Sequence, residues 1–174
     1  MSDDSGTAAS LRAAFDRSFA EPPRGPSAAA DPAIELRIGG DRYALRLAEV
    51  VAIHAGRRVV PVPGPLPELL GLTAFRGRVA AVWDLAAILG YPGVKSSRWL
   101  VLVGAVEPVA LAIGSVERYL GLPADTDPPD TSPGRPHIGR VARDPAGALP
   151  VVDLPSVLAE LGRRARPADP HKER

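Results

Sequence analysis

Short apolar runs with a period of two dominate the chain and predict a β-rich fold. Residues 33–39 (AIELRIG) place three aliphatic side chains on one face, and residues 43–47 (YALRL) repeat the pattern after a Gly39-Gly40-Asp41 turn. This pair predicts a β-hairpin, because alternate side chains of a strand lie on the same face. Further predicted strands are 59–62, 72–75, 79–83, 99–103, 109–113 and 149–152. Strands spaced in this way and bounded by Gly, Pro or Asp favour an all-β antiparallel barrel or sandwich.

Helical patterns are few and short. Residues 155–164 (PSVLAELGRR) place Val157, Leu158 and Leu161 on one face, and Asp153 lies just upstream as a candidate N-cap. Proline is tolerated in the first turn of a helix, so Pro155 does not oppose the assignment. The pattern predicts a C-terminal helix that ends the domain by packing on the sheet.

Three segments rich in proline, alanine and charge lack an apolar pattern. Two flank the patterned region, and the third, residues 123–136 (PADTDPPDTSPGRP), interrupts it and predicts a surface loop or lid. We therefore expect a flexible N-terminal extension over residues 1–32, one domain over residues 33–162 and a disordered tail over residues 163–174. Within the extension, the spacing of apolar residues predicts a short amphipathic helix over residues 10–20.

A weak internal repeat relates the two halves of the chain. Three pairs of segments match in order at offsets of 66, 68 and 69 residues: 44–50 with 110–116, 71–74 with 139–142, and 84–89 with 153–158. The conserved order of the three matches predicts two similar β-subdomains arranged in tandem.

Composition and charge exclude several classes of function. The chain has 174 residues, 20 prolines, 17 glycines, no cysteine and a net charge of +1. This balance argues against nucleic-acid binding by counterion release, and the lack of cysteine removes disulfides, thiolate catalysis and iron–sulfur clusters. No apolar run is long enough to cross a bilayer, and the acidic N-terminus is unlike a signal peptide. We expect a cytoplasmic protein with no direct membrane insertion.

Signatures of catalysis and of cofactor binding are absent from the sequence. His54, His137 and His171 lack metal-ligand spacing, and there is no GxSxG, P-loop or GxGxxG motif. Asp84 and Asp153 end apolar strands, but each precedes a leucine and a helix-like turn, which favours N-caps over catalytic carboxylates. We expect no enzyme activity, no cofactor and no metal; a small hydrolase is a remote alternative.

The most informative segment is residues 71–85 (GLTAFRGRVAAVWDL). Two apolar strands meet at Phe75-Arg76-Gly77-Arg78, where the glycine permits a tight turn that displays two arginines. The spacing alone leaves two interpretations open, a solvated turn and an exposed interface anchor, since arginine is enriched among residues that dominate interfaces. Upstream, alternating prolines in residues 61–67 exclude a central strand and predict an edge or a rigid connector.

Five segments resemble, in order and spacing, the CheW family of bacterial chemotaxis coupling proteins: YALRLAEVVAI, VVPVPGPLPELLGLTAFRGRVAAVWDL, PVALAIGSV, HIGRVA and LPVVDLPSVL. The family's strand-turn-strand motif is met by Gly71, Leu72, Arg76, Gly77, Val82, Asp84 and Leu85. The resemblance implies two intertwined SH3-like five-stranded barrels with short helices and a C-terminal helix. It also implies a non-catalytic scaffold, recruited to receptor arrays, that couples the cytoplasmic tips of chemoreceptors to the regulatory domain of a CheA-type histidine kinase. Other CheW-like domains are implied as further partners.

The resemblance further implies which residues bind partners. Val50, Gly71 and Arg76 correspond to positions where receptor and kinase coupling is sensitive in the family, and Gly77 completes the turn. We expect the groove and turn around Val50, Gly71, Leu72, Arg76 and Gly77 to bind one or both partners. Two alternatives stay open: a CheW-like adaptor in a non-motility pathway such as development or gene regulation, and, more remotely, an SH3-like RNA-binding module. The eight aromatic residues argue against the second, because RNA-binding surfaces use aromatics for stacking and several here lie in predicted core strands.

Three positions depart from the family pattern. The family's asparagine in the turn motif is Ala74 here, its glutamate in the V-x-E-I pattern is Ala52, and the aspartate that closes a later apolar strand is Gly114. In the family that glutamate is thought to pair with the arginine that corresponds to Arg76. Arg76 is therefore either available to a partner carboxylate or held by another acid, and we expect a divergent member that serves one of several chemosensory arrays.

Overall fold

The structure, a computed structural model, describes residues 30–93, 97–104, 107–123 and 135–165. The predicted helix over residues 10–20 and most of the loop over residues 123–136 lie outside these ranges. None of the helices in these ranges is long and apolar enough to cross a membrane.

Ten strands, two α-helices and one 3-10 helix make up the described part of the chain. The strands are β1 (Asp31–Ile38), β2 (Asp41–Arg46), β3 (Val50–Ala55), β4 (Leu69–Phe75), β5 (Arg78–Asp84), β6 (Trp99–Val103), β7 (Val109–Ile113), β8 (Ser115–Leu122), β9 (Ile138–Asp144) and β10 (Gly147–Val152). The helices are α1 (Leu85–Ile88), α2 (Leu154–Ala165) and the 3-10 helix (Leu47–Glu49).

The strands form two five-stranded sheets of the same design. The first has the order β8-β1-β2-β10-β9 and the second the order β3-β6-β7-β5-β4. Neighbours are antiparallel except for the pairs β2–β10 and β5–β7, which are parallel. The two sheets are SH3-like β-subdomains, so the predicted fold class is confirmed.

The predicted tandem arrangement of the two subdomains is wrong. Each sheet combines two strands from one half of the chain with three from the other: β1 and β2 pair with β8–β10, and β6 and β7 pair with β3–β5. The exchange occurs because the 3-10 helix carries the chain from β2 into the second sheet, where β3 pairs with β6. The subdomains are intertwined, as the family resemblance implies.

The strand register corrects one match of the repeat by one residue. The repeat offset of 69 residues makes Val82 equivalent to Val151. Gly71 lies opposite Val82, and Arg140 lies opposite Val151. The structural equivalent of Gly71 is therefore Arg140, one residue beyond the Gly139 that the sequence match indicates. Both strands bulge next to this point, which conceals the offset from sequence comparison.

Several elements differ from the sequence prediction. Strands β3, β8 and β9 were not predicted, and residues 59–62 contribute only an isolated bridge between Val60 and Leu72. The prolines of this segment lack the N–H groups that a longer ladder needs. The C-terminal helix continues to Ala165, within the predicted tail, and Arg164 there contacts Glu160 and Glu68.

One apolar core is shared by both subdomains and both α-helices. It includes Leu36 and Leu45 from the first sheet, Leu111 from the second, and Leu85 and Leu154 from the helices. A smaller apolar cluster lies within each subdomain. The predicted N-caps are confirmed by hydrogen bonds: the Ala86 N–H donates to Asp84 at 2.9 Å, and the Ser156 N–H donates to Asp153 at 3.2 Å.

Candidate partner-binding site

The turn between β4 and β5 presents Arg76 at its tip. Phe75 pairs with Arg78, so only Arg76 and Gly77 form the loop, and both have positive φ, at 48° and 79°. Positive φ at both positions is the type I′ geometry that follows the twist of a two-residue hairpin. Gly77 adopts it without strain, and the tight loop leaves the Arg76 side chain exposed.

A groove with a volume of about 170 Å³ lies beside this turn. We call it the arginine groove; its lining residues are Val51, Ala52, His54, Phe75, Arg76, Arg78, Leu102, Gly104 and Pro108. Phe75 and Leu102 are buried, and the His54 ring packs on Phe75 with 4.8 Å between ring centroids. Arg57 lies over the same ring, with its guanidinium carbon 5.5 Å from the centroid. The groove thus has an apolar base and a cationic rim.

The environment of His54 in this groove disfavours protonation of its imidazole. Burial lowers the pKa of His54 below its ordinary value, and the positive charges of Arg57 and Arg76 lower it further. The lowered pKa is consistent with the packing of the ring on Phe75, and arginines supply positive charge at the rim.

The second subdomain carries an excess of exposed positive charge. Its described exposed arginines are Arg57, Arg58, Arg76, Arg78 and Arg98. Of the acids described between residues 50 and 113, Glu68 binds Arg164 and Asp84 is buried as a helix cap, which leaves Glu107 exposed. Arg76 forms no ion pair with any acid of the described ranges, which favours its availability to a partner.

Comparison with known proteins gives a family for this arrangement. The CheW-like domain matches residues 32–162, which is most of the chain. The chain belongs to the CheW family. The crystal structure of scaffolding protein TtCheW from Thermoanaerobacter tengcongensis matches with a TM-score of 0.63 and 14% identity, over 71% of this chain and 88% of that chain. A search of curated proteins found no match.

Two of the five predicted partner-binding residues, Gly71 and Leu72, lie on β4, outside the arginine groove. Gly71 is buried with φ at 144°, and a Cβ atom there would lie 2.1 Å from the carbonyl oxygen of Val60. Leu72 is 38% exposed and exchanges two backbone hydrogen bonds of 2.8 Å with Val60. Gly71 therefore offers no side chain to a partner; it lets the proline-rich segment approach β4.

An exposed apolar patch surrounds Leu72. Leu72 pairs with Val60 along one edge of β4. Two residues further along β4, on the same face, Ala74 pairs with Val79 of β5 along the other edge. Val79 is 65% exposed and Val60 is 53% exposed. Directly paired residues of antiparallel strands share a face, so these side chains form one surface beside the Arg76 turn.

Val50 lies at the crossover between the subdomains. It follows the 3-10 helix, is half-buried, and packs against the shared core. Its neighbours Val51 and Ala52 line the arginine groove, whereas Val50 does not. The structure therefore distributes the five predicted residues over three places: the turn with Arg76 and Gly77, the β4 face with Gly71 and Leu72, and the crossover with Val50.

The three departures from the CheW pattern fall in different environments. Ala52 lines the arginine groove, Ala74 lies in the exposed apolar patch, and Gly114 follows β7. A Cβ atom at Gly114 would lie 2.6 Å from the carbonyl oxygen of Arg37, so this close approach favours glycine. Of the three, only Ala52 alters the charge inside the groove that contains Arg76.

Sequence reasoning missed His54, Phe75 and Arg57 as parts of the site. In the sequence, His54 lacks metal-ligand spacing and Phe75 is a strand residue next to the turn, and neither pattern indicates a partner surface. A signal was present, since an aromatic residue directly before an Arg-Gly turn must lie at the base of the hairpin. The packing of His54 on Phe75 depends on β3, which the sequence did not reveal.

Proposed function

We propose that this CheW-family chain is a non-catalytic scaffold that couples chemoreceptors to a CheA-type histidine kinase. It acts in the cytoplasm, where receptor arrays recruit it. The observation that carries the proposal is the exposed Arg76 turn, which stands between an apolar groove and an apolar patch on one subdomain of a CheW fold. A surface with an arginine anchor and adjacent apolar contacts has the composition of a protein interface.

The five predicted partner-binding residues take different roles in this proposal. Arg76 and Leu72 contact a partner directly because both are exposed. Gly77 and Gly71 act through the backbone, since they set the turn and the approach of the proline-rich segment. Val50 acts through packing, because it fixes the start of β3 against the shared core.

The test is binding of the full chain to two purified partners from the same cell, the regulatory domain of a CheA-type kinase and a receptor cytoplasmic fragment. Arg76→Glu should weaken binding of at least one partner by about tenfold or more and remove receptor control of kinase activity, because an interface arginine often contributes about 2 kcal/mol. Arg76→Asn is the matched control for the conformation of the turn: it removes the positive charge without introducing a negative one, and asparagine followed by glycine favours type I′ geometry.

Circular dichroism should show the same fold for all three proteins. Kinase control that survives Arg76→Glu, with the fold intact, would contradict the proposed site. Failure of the unaltered chain to bind any kinase or receptor of its cell would contradict the coupling role itself.

A further inference from the structure

The two subdomains can be compared position by position, because their strands pair in the same order. Ala52 lies opposite Leu102 in the second sheet, and Arg118 lies opposite Glu35 in the equivalent place of the first sheet. Ala44 and Ala110 are equivalent in the repeat, so Arg42 and Pro108, each two residues earlier, are equivalent too. Phe75 is the last residue of β4 before the β4–β5 turn, and Asp144 is the last residue of β9 before the β9–β10 turn. These two residues are therefore equivalent as well.

In the first subdomain these four positions form a closed ion network. Arg42 donates to Glu35 and to Asp144, in both cases at 2.6 Å. Arg118 donates to the same two acids, at 2.7 Å and 2.5 Å. Every charge in this set has a partner within the set, so the first subdomain neutralises this surface with its own residues.

In the second subdomain the same four positions are uncharged and line the arginine groove. Leu102, Pro108, Ala52 and Phe75 replace the two acids and the two arginines. The groove nevertheless retains positive charge, because Arg57, Arg76 and Arg78 surround it. Among the described residues, none that lines the groove has a carboxylate, and Arg76 has no acidic partner. In the part of the chain that the structure describes, the groove therefore offers Arg76 no counter-charge, whereas the first subdomain pairs both arginines of its network internally.

We infer that the arginine groove binds a partner segment in which an apolar side chain is flanked by carboxylates. The apolar side chain packs on Phe75 and Leu102, and a carboxylate pairs with Arg76. An apolar cavity of about 150 Å³ accommodates a benzene-sized group, so 170 Å³ suits one large apolar side chain. An arginine binds a carboxylate through two parallel hydrogen bonds, which fixes the direction of the inserted segment.

This inference rests on the proposed function in one respect, that this face of the CheW fold is a docking surface, and it adds the chemistry of the docked segment. The departure at Ala52 becomes part of the recognition. A glutamate at this position would place a carboxylate inside the groove beside Arg76; with alanine there, the partner must provide it.

The first experiment uses two short synthetic peptides with the full chain. Each has one leucine, flanked on both sides by glutamates in one peptide and by lysines in the other. In nuclear magnetic resonance titrations, the glutamate peptide should shift the amide signals of Val51, Ala52, His54 and Phe75, and 0.5 M salt should weaken this binding because it screens the charges. Equal binding of both peptides, or no shifts in the groove at millimolar peptide, would overturn the inference.

The second experiment compares Ala52→Glu with Ala52→Gln, which have the same size and differ in charge. Ala52→Glu should weaken the glutamate peptide about tenfold or more relative to Ala52→Gln, because the new carboxylate occupies Arg76. Equal affinities of two folded variants would overturn the inference. Arg76→Asn is a second variant that removes the charge and keeps the turn, and it should lower affinity to a similar extent.

The same variants separate this inference from the coupling role. If the kinase regulatory domain and the receptor fragment both bind and Ala52→Glu leaves both affinities unchanged, the coupling role stands and the acidic-segment recognition is wrong. If the glutamate peptide binds in the groove and neither kinase nor receptor binds, the recognition stands and the coupling role is wrong.

Discussion

Gly71 shows that a residue can matter to an interface without contacting a partner. It is buried, its φ of 144° is unfavourable for other residues, and any Cβ atom would collide with the Val60 carbonyl. The backbone pair between Val60 and Leu72 depends on this close approach. A change at Gly71 would therefore displace the proline-rich segment and with it part of the apolar patch.

We expect Gly71→Ala to lower the free energy of unfolding by about 3 kcal/mol or more, from backbone strain and steric overlap together. Gly77→Ala is the matched control: its φ is 79°, but a Cβ atom there meets nothing within 4 Å, so only the conformational cost of about 1 kcal/mol applies. Urea denaturation measures both. Equal losses would show that the contact with Val60 contributes nothing.

The sequence predicts the local conformation of the candidate site better than its surroundings. The turn at Arg76 and Gly77 was predictable because an Arg-Gly pair between apolar strands has a local signature, whereas its partner-binding role is predicted from the CheW resemblance. The partners of these residues are distant in sequence: His54 approaches Phe75, and Val60 approaches Leu72, only after the sheets have formed. Local patterns carry no information on such contacts.

At the scale of elements, the ion network joins four strands of the first sheet. Glu35 on β1 is buried and accepts hydrogen bonds from Arg42 on β2 and Arg118 on β8; both arginines also bind Asp144 on β9. Hydrogen bonds from Arg42 are the largest cause that lowers the pKa of Glu35 and of Asp144, and Arg118 lowers both further. The network thus stabilises the charged forms of two acids.

We expect Glu35→Gln to reduce the free energy of unfolding at pH 7 by about 1–2 kcal/mol, since it removes charge-assisted hydrogen bonds whose arginines still reach water. The folded-state pKa of Glu35 lies below its unfolded value of 4.5, so its stabilisation is complete above that pH and is lost as the pH falls through the folded pKa. The difference between the two proteins should therefore shrink in acid, as measured by urea denaturation from pH 7 to pH 3.

Glu117→Gln is the control for this prediction, because Glu117 is exposed and its contact with Arg37 is 3.9 Å long. A surface pair of this kind contributes little, so the change should stay within about 0.5 kcal/mol. A Glu35→Gln difference that stays constant with pH would show that the ionised carboxylate is not the source of the stabilisation.

Elements with a regular apolar period were predictable, and elements defined by their neighbours were not. The hairpin of β1 and β2 and the strands β4, β5, β6, β7 and β10 follow alternating or continuous apolar runs. By contrast, β8 (SVERYLGL) and β9 (IGRVARD) carry the charged residues of the ion network and of the protein surface. They are strands because β1 and β10 pair with them, a long-range condition that local polarity conceals.

At the scale of the whole molecule, strand exchange makes the two subdomains depend on each other. The halves of the chain are tandem repeats in sequence, yet neither half contains a complete sheet. The shared core joins both sheets and both α-helices, and it includes Trp83 of the second sheet. The sequence repeat predicts two similar halves. Whether the sheets are tandem or exchanged depends on which strands pair in the folded protein, and the local apolar pattern does not specify this.

Because neither subdomain can form without strands of the other half, we expect the described domain to unfold in one cooperative step. Leu149 is fully buried in the small cluster of the first subdomain, so Leu149→Ala should cost about 2–5 kcal/mol. Tryptophan fluorescence reports on the second sheet, which contains Trp83 and Trp99, whereas far-ultraviolet circular dichroism reports on both sheets. In urea denaturation the two signals should give one midpoint, and Leu149→Ala should lower both equally.

Leu72→Ala serves as the comparison within the second subdomain, where the side chain is 38% exposed and its loss should cost less than that of Leu149. Independent subdomains would behave differently: Leu149→Ala would then produce a two-step circular dichroism curve and leave the fluorescence midpoint unchanged.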